Sequence, residues 1–195
     1  MIMAERRERI RRAVGDEDVR SISRRYFISN GFDGTLTSIG IAVGALLSGV
    51  GSGLTVVQVG IGAAVGLGTS GVWSVWEIER AEKAVEMAKI EQAMLRDLRD
   101  TELAATKRTG RLINAAMSGI GPLIGVLVPM IPFAFESGRL TMRTATTLSV
   151  LLGIGLLFAF GAYLGSISRQ KWYWAGIRMG LAGLVVAGIN LLIPG

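Results

Sequence analysis

The chain has 195 residues, half of them apolar, with 27 Gly, no Cys, no His and a formal net charge of +6. Without Cys there is no disulfide, thiol nucleophile or thiolate zinc site, and without His there is no Ser-His-Asp triad, imidazole base or imidazole ligand. Metal chemistry is therefore left to carboxylate, amide, hydroxyl and carbonyl oxygens and to Met thioethers.

Residues 1–25 are Arg-rich and carry no apolar core, so no cleavable signal peptide is expected. Ile10, Val14, Val19 and Ile22 interleave with Arg, which predicts short helices lying on an anionic leaflet. The second of these starts at the acidic cap Asp16-Glu17-Asp18 after Gly15. The arginines serve equally to fix membrane orientation. Beyond them, charge is absent from 34–76, 112–135, 144–168 and 179–195. At about 20 apolar residues per helical crossing, the first gap holds two spans and each of the others one. The expected fold is all-α and polytopic, with five transmembrane helices near 27–47, 54–76, 112–135, 145–166 and 174–193 and a cytoplasmic helical segment at 77–111. Gly51-Ser52-Gly53 is the expected turn in the double gap.

Of the 21 Lys and Arg residues, all but Arg139 and Arg143 fall on one side if the N-terminus is cytoplasmic and the C-terminus outside. The basic balance thus reads as a topology signal, and no nucleic-acid partner is expected. The segment 77–111 lacks Pro, and Gly too until Gly110, so the second span either runs on into the cytosol or folds once at an unmarked point. Ile78, Ala81, Val85, Ala88, Gln92 and Leu95 form a 3-4 stripe expected to pack. Beside it Glu79, Glu82 and Glu86 share a face, joined by Met87, Glu91 and Met94. Glu82 and Glu86 repel each other unless a cation lies between them. The alternatives are a metal-collecting face and a solvated flank held by Glu79–Lys83 and Glu86–Lys89 pairs.

Gly-xxx-Gly spacing at 40/44, 62/66, 121/125, 161/165 and 176/180 predicts close helix packing, without showing that any pair joins two copies. Tyr163, Trp172, Tyr173 and Trp174 read as an aromatic belt, Glu136 and Arg139 as ordinary interface charges, and Thr141, Thr144, Thr146 and Thr147 as partners for backbone groups starting the fourth span. No phosphate-binding or nucleophile motif is present. Asp33 stands within the first span, near Asn30 and Thr37. A carboxylate at that depth costs at least about 2.5 kcal/mol unless it faces a cavity, a partner or an ion. The structural readings are that Asp33 pairs with Arg178, the cation nearest that depth, that it snorkels to the interface, or that it caps a helix break near Gly31 and Gly34.

The run from Asp33 to Gly44 (Asp-Gly-Thr-Leu-Thr-Ser-Ile-Gly-Ile-Ala-Val-Gly) resembles the first-span signature of the vacuolar iron transporter family. The small-residue-rich stretch 62–75 and the paired Pro129 and Pro132 are similar to features of that family's second and third spans. The resemblance implies a homodimer in the membrane whose first spans line a pathway exporting Fe(II) or Mn(II) from the cytoplasm in exchange for protons. It makes Asp33 the transport carboxylate; Asn30, one turn away, and Thr37 are read from their position as the residues along the same pathway. It also assigns metal collection to Glu79, Glu82, Glu86, Glu91 and Met87. The ions are substrate; no permanently bound cofactor and no enzymatic activity are expected. Phe32 stands where the family has Asn, and Leu67 and Gly71 where its second span has Met and Glu. A non-transporting scaffold or metal sensor that keeps the fold without those ligands is the alternative. The expected location is a prokaryotic cell membrane.

Overall fold

The computed structural model describes residues 2–95, 101–136, 138 and 140–192. Among them every regular element is helical: α1 (Ile2–Gly15), α2 (Glu17–Leu47), α3 (Gly53–Met94), α4 (Glu102–Met130), a 3-10 turn (Ile131–Phe135), α5 (Met142–Ile167) and α6 (Trp172–Leu192). Four stretches are long and apolar enough to cross a membrane: Gly53–Met94, Ala105–Phe135, Met142–Ile167 and Trp172–Leu192. The protein is therefore an all-helical membrane protein. The expected first span is helical throughout but is not among the four, because Asn30, Asp33, Thr35, Thr37 and Ser38 dilute its apolar content. Arg139 and Ile193 lie outside the described residues.

Some helix boundaries have a local cause and others a distant one. The Asp16 carboxylate accepts from the Asp18 N–H at 2.9 Å and starts α2, as its position in the sequence implies. The helix that begins there is not a short surface helix, since α2 continues to Leu47 with no break at Gly31 or Gly34. The chain reverses earlier than Gly51-Ser52-Gly53. Gly49 takes a left-handed φ of 67°, and the N–H groups of Gly49 and Val50 donate back to Leu46 and Ala45 at 3.2 and 3.0 Å. Gly53 begins α3, and its N–H donates to Glu136 Oε2 at 3.0 Å, which makes Glu136 a helix cap rather than a bare interface charge. At its far end α3 runs past Trp76 to Met94 and stops where Leu95 has φ 51°, with no Gly or Pro beside it in the sequence. Thr141 caps α5, and the hydroxyls of Thr146 and Thr147 donate to the carbonyls of Met142 and Arg143 at 3.0 and 2.9 Å.

The chain divides into two compact units, Met1–Phe27 with Thr69–Gly119, and Ile28–Gly68 with Ile120–Gly195. The second is built on missing side chains. A Cβ on Gly34 would lie 2.8 Å from the Cα and O of Pro122, and one on Gly125 would strike the carbonyl of Gly31, so α2 and α4 touch backbone to backbone. Along α5 and α6 a Cβ on Gly161 would strike the Ala175 carbonyl, and one on Gly165 would come within 2.8 Å of the Ala175 side chain. Thr35 and Ser38 are fully buried beside this seam because their hydroxyls donate to carbonyls of their own helix, Gly31 and Thr35, at 2.7 and 2.8 Å. Ala42, Val56, Ala64, Val126, Met130, Phe133 and Ala145 close the apolar core. By contrast, Gly44, Gly62 and Gly66 meet nothing within 4 Å.

In the first unit, a Cβ on Gly110 would fall 2.7 Å from Val19 Cγ2, which seats the start of α2 on α4. Val19 is therefore a core residue, whereas Ile10 and Val14 on α1 stay exposed.

Gly161→Ala is expected to destabilise the protein by about 1–3 kcal/mol, since its methyl meets fixed backbone. Gly62→Ala, on an open face, is expected to hold or raise stability by up to about 1 kcal/mol through helix propensity. Thermal unfolding of both variants in detergent checks the contrast. Glu136→Ala, which leaves the Gly53 N–H without its acceptor, should cost about 1 kcal/mol in the same assay.

Candidate metal pathway

The residues expected to handle metal fall in both units. In the second, α2 turns two unlike faces outward and inward. Gly31, Gly34, Thr35, Ser38, Ile39, Ala42 and Val43 are buried, while Ser29 and Asp33 are exposed and Asn30 and Thr37 lie at or near the outer face, Thr37 half-buried. The Asp33 carboxylate thus points away from the core of its own unit. Arg178 does not neutralise it, because the guanidinium donates to Gln170 Oε1 at 2.9 Å. The Thr37 hydroxyl is engaged with the Asp33 backbone carbonyl at 2.8 Å rather than with the carboxylate.

In the first unit the inward face of α3 is not the expected one. Ile78, Ala81, Val85, Ala88, Gln92 and Leu95 are all exposed. The buried or half-buried line is instead Val75, Glu79, Lys83, Glu86 and Ile90, with Met87 and Glu91 beside it. The structure thus sets Glu79, Glu86, Met87 and Glu91 on one side of the helix, whereas Glu82 faces solvent. Polar attraction across the helices overrides the apolar stripe. The Lys107 ammonium on α4 and Lys83 on α3 both bond the Glu86 carboxylate, Lys83 at 3.1 Å. The expected Glu86–Lys89 partner is thus replaced by two other lysines.

These contacts set the charges beyond the apolar run of α3. The hydrogen bond from Lys107 pulls the Glu86 carboxyl below its ordinary value; burial opposes this, and Lys83 adds to it. Burial alone would lower Lys83, but the bond and charge of Glu86, with the charges of Glu79 and Asp18, outweigh it and hold the ammonium above its ordinary value. Glu79 is 1% exposed and its Oε2 has no hydrogen-bond partner. Its charge reaches Tyr26, whose phenol is raised first by burial and then by Glu79. It also reaches Arg111, which burial and then Arg108 and Arg80 push down.

Three residues of this interior escaped the sequence reading: Trp76, Arg111 and Asn114. The Arg111 guanidinium lies 4.1 Å from the Trp76 ring centre, a cation–π contact that attaches the start of the α4 apolar run to the end of the α3 run. Its Nε is buried without a partner, as is Oδ1 of Asn114, which is 1% exposed. The available signal was an amide inside the charge-free stretch 112–135. Among the described residues no three Asp or Glu side chains form a group that could hold a metal ion. A divalent ion binding at Glu86 would have to displace two ammonium groups.

Four helices long and apolar enough to cross a membrane mark an integral membrane protein. The VIT family matches residues 74–194, and the chain belongs to it, which points to a membrane metal-ion transporter. An uncharacterized protein of Methanocaldococcus jannaschii is similar to the chain, 26% identical over 172 residues that make up 87% of each chain. The matched family region begins after the Asp33–Gly44 run, so it rests on the end of α3 and on α4, α5 and α6.

Because Glu86 titrates below its unfolded value, it contributes stability above the unfolded pKa, and this is lost as pH falls through the folded one. The side chain is 44% exposed, so the contribution after solvent screening is no more than about 1 kcal/mol. The difference in Tm between wild type and Glu86→Gln should be constant from about pH 6 to 8 and shrink toward zero below roughly pH 4.

Proposed function

We propose that the protein exports divalent transition metal, Fe(II) or Mn(II), from the cytoplasm in exchange for protons, through a pathway where the α2 helices of two copies meet. The observation that carries this reading is the Asp33 carboxylate, exposed on a mostly apolar helix whose opposite face is packed. Facing lipid, that group would cost at least about 2.5 kcal/mol, and a water-lined seam between two copies removes the cost. Asn30 lies near it on the cytoplasmic side, and Thr37 one turn further in. On this reading α2 supplies the fifth span, from 27 to 47, with the N-terminus in the cytoplasm and the C-terminus outside a prokaryotic cell membrane. Glu79, Glu82, Glu86, Glu91 and Met87 collect the ion before it enters, with Lys83 and Lys107 holding the place of the cation at Glu86 when it is absent.

A second reading, a scaffold or metal sensor, is favoured by a separate observation. Leu67 packs against the apolar core and Gly71 is buried, where the resembled family carries a Met and a Glu.

Uptake of Fe(II) and Mn(II) into proteoliposomes with an acidic interior separates the two. Transport by wild type that falls at least about tenfold in Asp33→Asn supports the export pathway. Folded, inserted protein that moves neither ion above empty liposomes supports the scaffold.

A further inference from the structure

The second unit contains a cavity of about 380 Å³ at the junction of α5 and α6, with Phe32 of α2 also lining it. Its rim is polar: Ser168, Gln170 and Arg178. Its floor is apolar: Phe32, Leu164, Met179 and Ala182. The rim is held in place by the α5–α6 turn. The Ser168 hydroxyl donates to the Leu164 carbonyl at 3.0 Å, and the Gln170 N–H donates to the Gly165 carbonyl at 3.0 Å. Between them Arg169 takes a left-handed φ of 54°, an uncommon state for a residue with a Cβ. The Gln170 side chain so positioned accepts from Arg178, and both residues line the cavity.

Among the described residues Arg178 has a hydrogen-bond partner, Gln170, but no ion pair. Glu136 is the last acidic residue in the sequence, so Arg169, Lys171 and Arg178 face no carboxylate from anywhere in α5 or α6. The first N–H groups of α6, a helix of 21 residues, add a further positive end at Lys171 and Trp172. Arg178 lies about 9 Å along α6 from its start, at a depth where an uncompensated guanidinium is costly. Trp172 and Trp174, each 55% exposed, and Tyr173 form a chain of ring contacts beside the mouth, the arrangement favoured at a headgroup boundary.

We infer that this cavity is a binding site for an anionic phospholipid, its phosphate held by Arg178 and Gln170 and an acyl chain lying over Phe32, Leu164, Met179 and Ala182. A bare anion accounts for the basic rim but not for the apolar floor, and a neutral lipid leaves the rim without its counter-charge. The site does not depend on metal transport, and only the leaflet it faces rests on the proposed orientation.

Native mass spectrometry and thermal unfolding of the delipidated full chain in detergent test the site with phosphatidylglycerol, phosphatidylcholine and soluble glycerol phosphate as probes. Phosphatidylglycerol should bind at least about tenfold more tightly than phosphatidylcholine and raise Tm, while glycerol phosphate does neither. Arg178→Gln should abolish that preference, and Arg143→Gln, an exposed basic residue preceding the α5 apolar run, should leave it intact. Ala182→Phe keeps every charge but fills the floor, and it should weaken phosphatidylglycerol even if Arg178→Gln fails to fold. Equal binding of the two lipids, full preference in Arg178→Gln or Ala182→Phe, or stabilisation by glycerol phosphate alone would each overturn the proposal.

Discussion

Helices in lipid gain nothing from excluding hydrocarbon, so they stay together only where their surfaces fit closely. In this chain the fit is made by absence. Gly31, Gly34 and Gly125 bring α2 against α4, and Gly161 and Gly165 bring α5 against α6, with main-chain atoms where side chains would otherwise stand. Backbone carbonyls and a proline ring form these contacts, so neither helix can turn about its axis without a clash. The orientation of the remaining side chains is set by that restriction, including the buried hydroxyls of Thr35 and Ser38, which are satisfied by their own helix. The same restriction creates the α5–α6 cavity. Small residues hold the helix pair close along Gly161 and Gly165, and the larger Phe32, Leu164 and Met179 surround the space left beside that contact.

The rotation of α2 decides what Asp33 can do. With Gly31, Gly34 and Thr35 turned inward, a residue two positions from Gly31 must face out, and the carboxylate becomes a surface group of its own unit. In the first unit a different force sets the rotation of α3. Glu79 is buried, Lys83 half-buried, and Glu86 is clasped by Lys83 and Lys107, so the charged line faces in and the apolar line of Ile78 and Val85 faces out. An exposed apolar line beside a buried polar one is the reverse of a soluble helical hairpin.

Membership of the VIT family rests on the region from residue 74 onward, which contains α4, α5, α6 and the charged end of α3. Asp33 lies outside that region, so the family match does not bear on it, and its exposure on α2 is the observation that singles it out. The uncharacterized archaeal relative covers 87% of the chain and adds no functional description.

The all-helical membrane class, the rough places of the last three apolar runs and the cap at Asp16 were readable from residue order, because hydropathy and capping are local properties. So was the need for close packing, since glycine at four-residue spacing permits it. Which glycines are used was not readable. Gly161 and Gly165 meet Ala175 while Gly62 and Gly66 meet nothing, and the spacing is the same in both. The reversal at Gly49 rather than Gly51 to Gly53, the cap that Glu136 places on Gly53 from 83 residues away, and the choice of Lys107 over Lys89 as partner of Glu86 were equally hidden. Each depends on which segments come together in space. A periodicity of 3.6 fixes the angle between side chains on one helix but not the direction in which the set points, and only contact with neighbouring helices decides that.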